Sequence, residues 1–102
     1  MRTRKHKHKP VHPGEILRRD YLDPMGITAY RLAKETRISA QQIGRILKGT
    51  RGISGETALR FARYLGTSAQ FWMDLQARYD LDVAADEVGR DIEKQVRPYM
   101  AA

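Results

Sequence analysis

Residues 28–48, TAYRLAKETRISAQQIGRILK, carry the clearest structural pattern in the chain. Thr28 stands where a hydroxyl can accept the free N–H groups at the start of a helix that runs to about Thr36. Ser39 stands in the same relation to a second helix, Ala40 to Lys48, which Gly49 stops. A short turn, Thr36-Arg37-Ile38, lies between them. The small residue Ala33 falls where the second helix would cross the first. Leu32, Ile38, Ile43 and Ile46 fall where apolar side chains would lock the crossing angle, with Leu47 also facing inward. Two short helices joined in this way form a helix-turn-helix.

The turn departs from its usual composition. Glycine is common there because the backbone tends towards positive φ. Here the residue is Arg37, which costs on the order of 1 kcal/mol in that conformation, a cost that packing can absorb.

The flanking segments also read as helices. A first helix begins at Pro13, whose missing N–H is harmless at the first helical position, and Glu15 meets the positive end of the helix dipole. Ile16, Leu17 and Tyr21 give it an apolar side, Asp23-Pro24 ends it, and Gly26 makes the turn. Ser54 caps a fourth helix with Glu56 in its first turn. Ala58, Phe61, Ala62 and Leu65 form one stripe, and Gly66 ends the helix. Ser68 caps a fifth helix in which Phe71, Trp72, Leu75 and Tyr79 are the bulkiest core anchors. Residues 81–98 read as an additional C-terminal helix, with Val88, Ile92, Val96 and Tyr99 on one face, Gly89 weakening it and Pro98 ending it. That face could meet a second subunit, fold back on its own domain, or meet another protein. No internal repeat and no strand-like alternation is present. The expected fold is therefore all-α. A flexible basic arm occupies 1–11, a five-helix domain occupies 12–80 with its helix-turn-helix at about 28–48, and the C-terminal helix occupies 81–98.

Charge locates the face that would meet an anionic partner. The chain has 102 residues and a net charge of +7. Residues 2–9 hold five basic side chains and no acid, 10–73 hold ten basic and five acidic, and 74–102 hold four basic and seven acidic. The middle is thus the candidate nucleic-acid face and the C-terminal end is not. The arm is suited equally to touching phosphates and to being simply solvated. There is no cysteine, so no disulfide, thiol nucleophile or cysteine metal site, which fits a reducing cytoplasm. The basic N-terminus is not followed by an apolar run, so it is not a signal peptide, and no stretch approaches the roughly 18 apolar residues that span a membrane. His6 and His8 could hold a metal weakly, but no carboxylate or cysteine completes a site; no metal and no cofactor is expected. No enzyme is expected either: the histidines crowd the first twelve residues, Asp80 and Asp82 suit a solvated face, and no glycine-rich phosphate loop is present.

In a helix-turn-helix the helix after the turn lies in the major groove and presents its N-terminal residues to base edges. Arg45 can pair with guanine O6 and N7, Gln41 with adenine N6 and N7, and the Ala40 methyl can pack on a thymine methyl. Gln42 could reach a base or a phosphate. Ser39 suits capping better than base reading and is placed among the phosphate contacts. Thr28 sits at a helix N-terminus that favours phosphate. Lys48, Thr50 and Arg51 follow the recognition helix as further phosphate candidates, with Arg31 and Lys34 equally suited to a solvated face. Gly44 is unusual inside a helix, costing about 0.5–1 kcal/mol relative to alanine. It either lets the helix approach DNA closely or is merely tolerated.

The runs HPGEIL (12–17), KGTRGIS (48–54), TALRFARYLGTS (57–68) and FWMDLQARYDL (71–81), taken with the helix-turn-helix, resemble the HigA antitoxins, within the Xre or Cro/C1-type group. Generic helix-turn-helix proteins lack the FW-x-x-LQ-x-x-YDL segment. The resemblance implies a lambda-repressor-like five-helix domain, a homodimer, binding to double-stranded operator DNA, and repression of the chain's own operon. It also implies neutralisation of a HigB-like toxin similar to RelE-type mRNA endonucleases. Within that pattern Gln41 and Arg45 fall at base-reading positions, and Lys48, Thr50 and Arg51 at backbone-contacting ones. A stand-alone regulator without a toxin, and a protein-interaction module that binds no DNA, are the competing readings.

Overall fold

The computed structural model describes residues 9–100, and these fold entirely into helices and connecting turns. His6, His8 and most of the expected basic arm lie outside the described residues. Helix α1 covers residues 13–25, α2 covers Ala29–Thr36, α3 Ala40–Lys48, α4 Gly55–Leu65 and α5 Ala69–Gln95. The C-terminal helix expected over residues 81–98 is present as the distal half of α5, but it ends at Gln95: Val96 is already extended, so Val96 and Tyr99 do not continue the face of Val88 and Ile92. No break separates it from the fifth helix, because neither glycine nor proline intervenes before Gly89.

Each helix starts where a side chain can take its free N–H groups. The hydroxyls of Thr28, Ser39, Ser54 and Ser68 accept from the N–H groups of Arg31, Gln42, Thr57 and Phe71 at 3.0–3.2 Å. Before Pro13, the His12 ring serves: its Nδ1 accepts from the Gly14 N–H at 2.9 Å. Gly26, Gly49 and Gly66 end three of the helices with positive φ.

Helix α1 differs from expectation at its end. It does not stop at Asp23-Pro24 but continues to Met25 through a π-turn, Leu17–Leu22, with the Asp23 N–H reaching back to the Arg18 carbonyl. Pro24 has no N–H for an α-helical bond and its ring would crowd the carbonyl four residues earlier. A wider turn just before it accommodates both facts.

The core joins all five helices. Leu17, Leu32, Ile43, Ile46, Phe61 and Trp72 are fully buried, with Leu22, Ala33, Ile38, Ile53 and Ala58 around them. Trp72 is the hub: its ring lies 5.0–5.4 Å from those of Tyr21, Phe61 and Phe71. Its indole N–H donates to the Thr67 hydroxyl at 2.7 Å, so the one polar atom of the ring is satisfied. Phe71, Leu75 and Tyr79, the other expected anchors, are half-buried. Beyond Tyr79 the helix leaves the core. Its length, 27 residues or about 40 Å, gives the molecule its long dimension of 57 Å.

Candidate nucleic-acid interface

The geometry of the helix-turn-helix follows from residues 33–46. Ala33, Ile38, Ile43 and Ile46 are buried at the crossing of α2 and α3. Arg37 adopts φ 62°, the left-handed conformation expected of that turn, and is the only non-glycine residue among those described that does so. Its neighbours enforce it. The Ile38 side chain is buried and its N–H bonds the Ala33 carbonyl at 3.2 Å. Arg60 on α4, held by Glu56, donates to the Thr36 carbonyl at 3.0 Å, and the Thr36 hydroxyl bonds the Leu32 carbonyl.

From the other side, α1 bears on the backbone of α3. A Cβ at Gly14 would fall onto the carbonyl of Ile46, so this contact is open to glycine alone.

These contacts leave one face of α3 uncovered. Ala40, Gln41, Arg45 and Lys48 are exposed along it. Gly44 lies on the same helix, and a Cβ there would meet no protein atom within 4 Å. Gln42 differs: it is half-buried, and its amide nitrogen donates to the Thr57 hydroxyl at 3.2 Å, which also takes a bond from Ser54. Gln42 therefore ties the start of α3 to the start of α4. Arg37, Ser39, Gln42, Arg51, Ser54 and Arg60 line a polar cleft between those two starts.

The expected phosphate residues border the α3 face. Thr28 and Ser39 are exposed and accept backbone N–H groups, which leaves each hydroxyl proton directed elsewhere. Thr50 is exposed, with both its N–H and its hydroxyl on the Arg45 carbonyl at 3.0 and 3.3 Å. Arg51 is exposed on the loop that follows.

Three contributors were not singled out from the sequence. Gln76 on α5 accepts from the Ile53 N–H at 2.7 Å and passes a bond to Asp80 at 2.9 Å. His12 packs its ring edge-on to Tyr79 at 4.8 Å and lies close to the backbone of Arg51. Burial pushes this histidine below its ordinary pKa, against the opposing pull of the Arg51 carbonyl and the Asp80 carboxylate. Arg60 is the third. His12 and Gln76 do lie within the HPGEIL and FW-x-x-LQ runs, which was the available signal.

A crossed helix pair, a positive-φ turn and an exposed polar face on the second helix define a helix-turn-helix domain, and the helix-turn-helix family model matches residues 19–72. Over 77 residues the chain is 48% identical to virulence-associated protein I of Dichelobacter nodosus, covering 76% of this chain and 71% of that protein. It superposes on the antitoxin HigA of Pseudomonas aeruginosa, solved with the higBA promoter, at a TM-score of 0.88 and 42% identity, covering 90% of this chain and all of that one. A second Pseudomonas aeruginosa structure, of PA4674 in complex with its 18 bp operator DNA, gives a TM-score of 0.88 and 43% identity over 91% of this chain and 98% of that one. The chain belongs to the HigA-type antitoxins of the Xre or Cro/C1 helix-turn-helix family, a regulatory and non-catalytic group.

Among the described residues no cluster of His, Cys, Asp and Glu is arranged to hold a metal, and no helix is long and apolar enough to cross a membrane.

Proposed function

We propose that a homodimer of this chain binds operator DNA in front of its own gene, represses it, and neutralises a HigB-like toxin. The observation that carries the reading is the exposed face of α3, on which Gln41 and Arg45 stand clear of the core with basic residues around them. Ala40, Gln41 and Arg45 would read bases. Thr28, Ser39, Lys48, Thr50 and Arg51 would hold phosphates, the first two by donating the hydroxyl protons their capping role leaves free. Gln42 would act from its bond to Thr57, reaching DNA only if it releases that partner.

The dimer is supported by the distal half of α5. Val88 and Ile92, one helical turn apart and 41 and 49% exposed, leave apolar surface with no cover from the chain's own core. One recognition helix spans few base pairs, and two related by a dyad would address half-sites about 34 Å apart. The related HigA, solved with the promoter of a higBA pair, supports both the operator and the toxin.

The test is a mobility shift with the DNA upstream of this gene, with and without the product of the neighbouring gene. The reading expects a specific shift that competitor DNA does not remove and that the neighbouring product alters. Binding to all sequences alike contradicts it.

A further inference from the structure

The loop after α3, residues 49–53, carries Thr50 and Arg51, yet its shape is set by residues far away in sequence. Gln76 holds it from α5 through the Ile53 N–H at 2.7 Å, and Asp80 orients the Gln76 amide at 2.9 Å. The fit is close, since a Cβ at Gly52 would sit 3.0 Å from the Gln76 amide. His12 holds the same loop from the start of α1. Its Nδ1 is occupied by the Gly14 N–H, and the ring lies close enough to the Arg51 backbone for the carbonyl there to favour its protonated form. Its ring also rests 3.7–3.8 Å from where a Cβ at Gly49 would sit. Neither side chain reaches the exposed face of α3, so neither is explained by base reading. Among the described residues, no backbone acceptor takes the N–H groups of Arg51 and Gly52, which leaves them available to an oxyanion.

We propose that His12 and Gln76 are positioning residues for DNA binding, fastening the loop 49–53 from beneath so that its backbone N–H groups and the Arg51 side chain meet a phosphate in fixed geometry. This rests on the reading of the loop as a phosphate contact. Without the two anchors, each loop contact must be bought by ordering the chain on binding. Affinity and phosphate neutralisation then fall together, while base reading by α3 persists.

The experiment is the slope of log Kobs against log salt for the full chain on its operator. Each neutralised phosphate contributes about 0.9 to that slope. Gln76→Met keeps the bulk and removes the acceptor; His12→Asn keeps a good N-cap for Gly14 but is too short to reach Arg51. Each is expected to melt cooperatively, to lower the slope by about one to two contacts' worth, and to leave the ranking of single-base operator variants unchanged. The paired swap Gln76→Glu with Asp80→Asn keeps an acceptor against Ile53 and the same net charge, and is expected to restore the slope. Folded variants with the wild-type slope overturn the inference, as does a swap that fails to restore it. Arg51→Ala separates the two levels. If it lowers the slope while the anchor variants do not, the phosphate reading stands and the inference falls; if Arg51→Ala itself changes nothing, both fall.

Discussion

The side-chain amide of Gln42 on α3 donates to the hydroxyl of Thr57, at 3.2 Å, across the gap between the starts of α3 and α4. Thr57 is buried and Gln42 half-buried, so the bond is partly shielded from water and joins α3 to the body of the domain. A hydrogen bond of this kind contributes about 0.5–1.5 kcal/mol net. A double-mutant cycle of Gln42→Ala and Thr57→Val, read by urea unfolding, is expected to show a coupling of that size. Independent effects of the two substitutions would mean that the bond does not hold α3 in place.

Gly14 and Gly44 should respond to alanine in opposite ways. At Gly14 the new methyl would occupy the place of the Ile46 carbonyl, so Gly14→Ala is expected to destabilise by more than about 2 kcal/mol. At Gly44 it would meet open space, so Gly44→Ala is expected to stabilise the free protein by about 0.5–1 kcal/mol. If α3 approaches DNA closely there, the same substitution weakens operator binding. Thermal melts and binding titrations on the two variants check both statements.

Arg37 is held at positive φ by the packing of Ile38 and the bond from Arg60 to Thr36. Removing the side-chain penalty with Arg37→Gly should raise stability by up to about 1 kcal/mol, or about 4–8 °C in Tm for a domain of this size. An unchanged or lower Tm would show that the arginine side chain returns as much stability as its backbone conformation loses.

His12 gives stability a pH dependence of known sign. Its folded-state pKa lies below the ordinary histidine value because burial disfavours the charged ring. Between the folded value and the unfolded value of about 6.5 the unfolded chain binds more protons, so stability rises with pH there. Its contribution is therefore present above about pH 6.5 and is lost as pH falls towards the folded value. The direct bond explains the sense: a proton on Nδ1 would face the Gly14 N–H and break the cap. Urea midpoints measured between pH 5 and 8 should fall on acidification, and less steeply for His12→Asn.

Much of this was legible in the sequence because it is local. The hydroxyls at 28, 39, 54 and 68 cap the helices that follow them, the glycines at 26, 49 and 66 end helices, and the positive φ of Arg37 follows from the turn it occupies. The crossing residues Ala33, Ile38, Ile43 and Ile46 are buried where the helical period puts them. What periodicity could not reveal were partnerships across long stretches of chain. Gln42 with Thr57, Ile53 with Gln76 and Thr36 with Arg60 join polar groups 15 to 24 residues apart, and nothing in either local pattern marks the match. The π-turn was hidden for a different reason: Asp23-Pro24 is a sound stop signal unless the preceding turn widens, and that depends on how Leu17 and Leu22 are seated in the core.

The most direct test of the account is an affinity titration of wild type and Arg45→Ala against the operator and a set of its single-base variants at constant salt. The expected result is a loss of about 1–3 kcal/mol on the operator with preference relaxed at one base pair. An equal loss on every sequence, or none, would contradict the placement of α3 in the major groove.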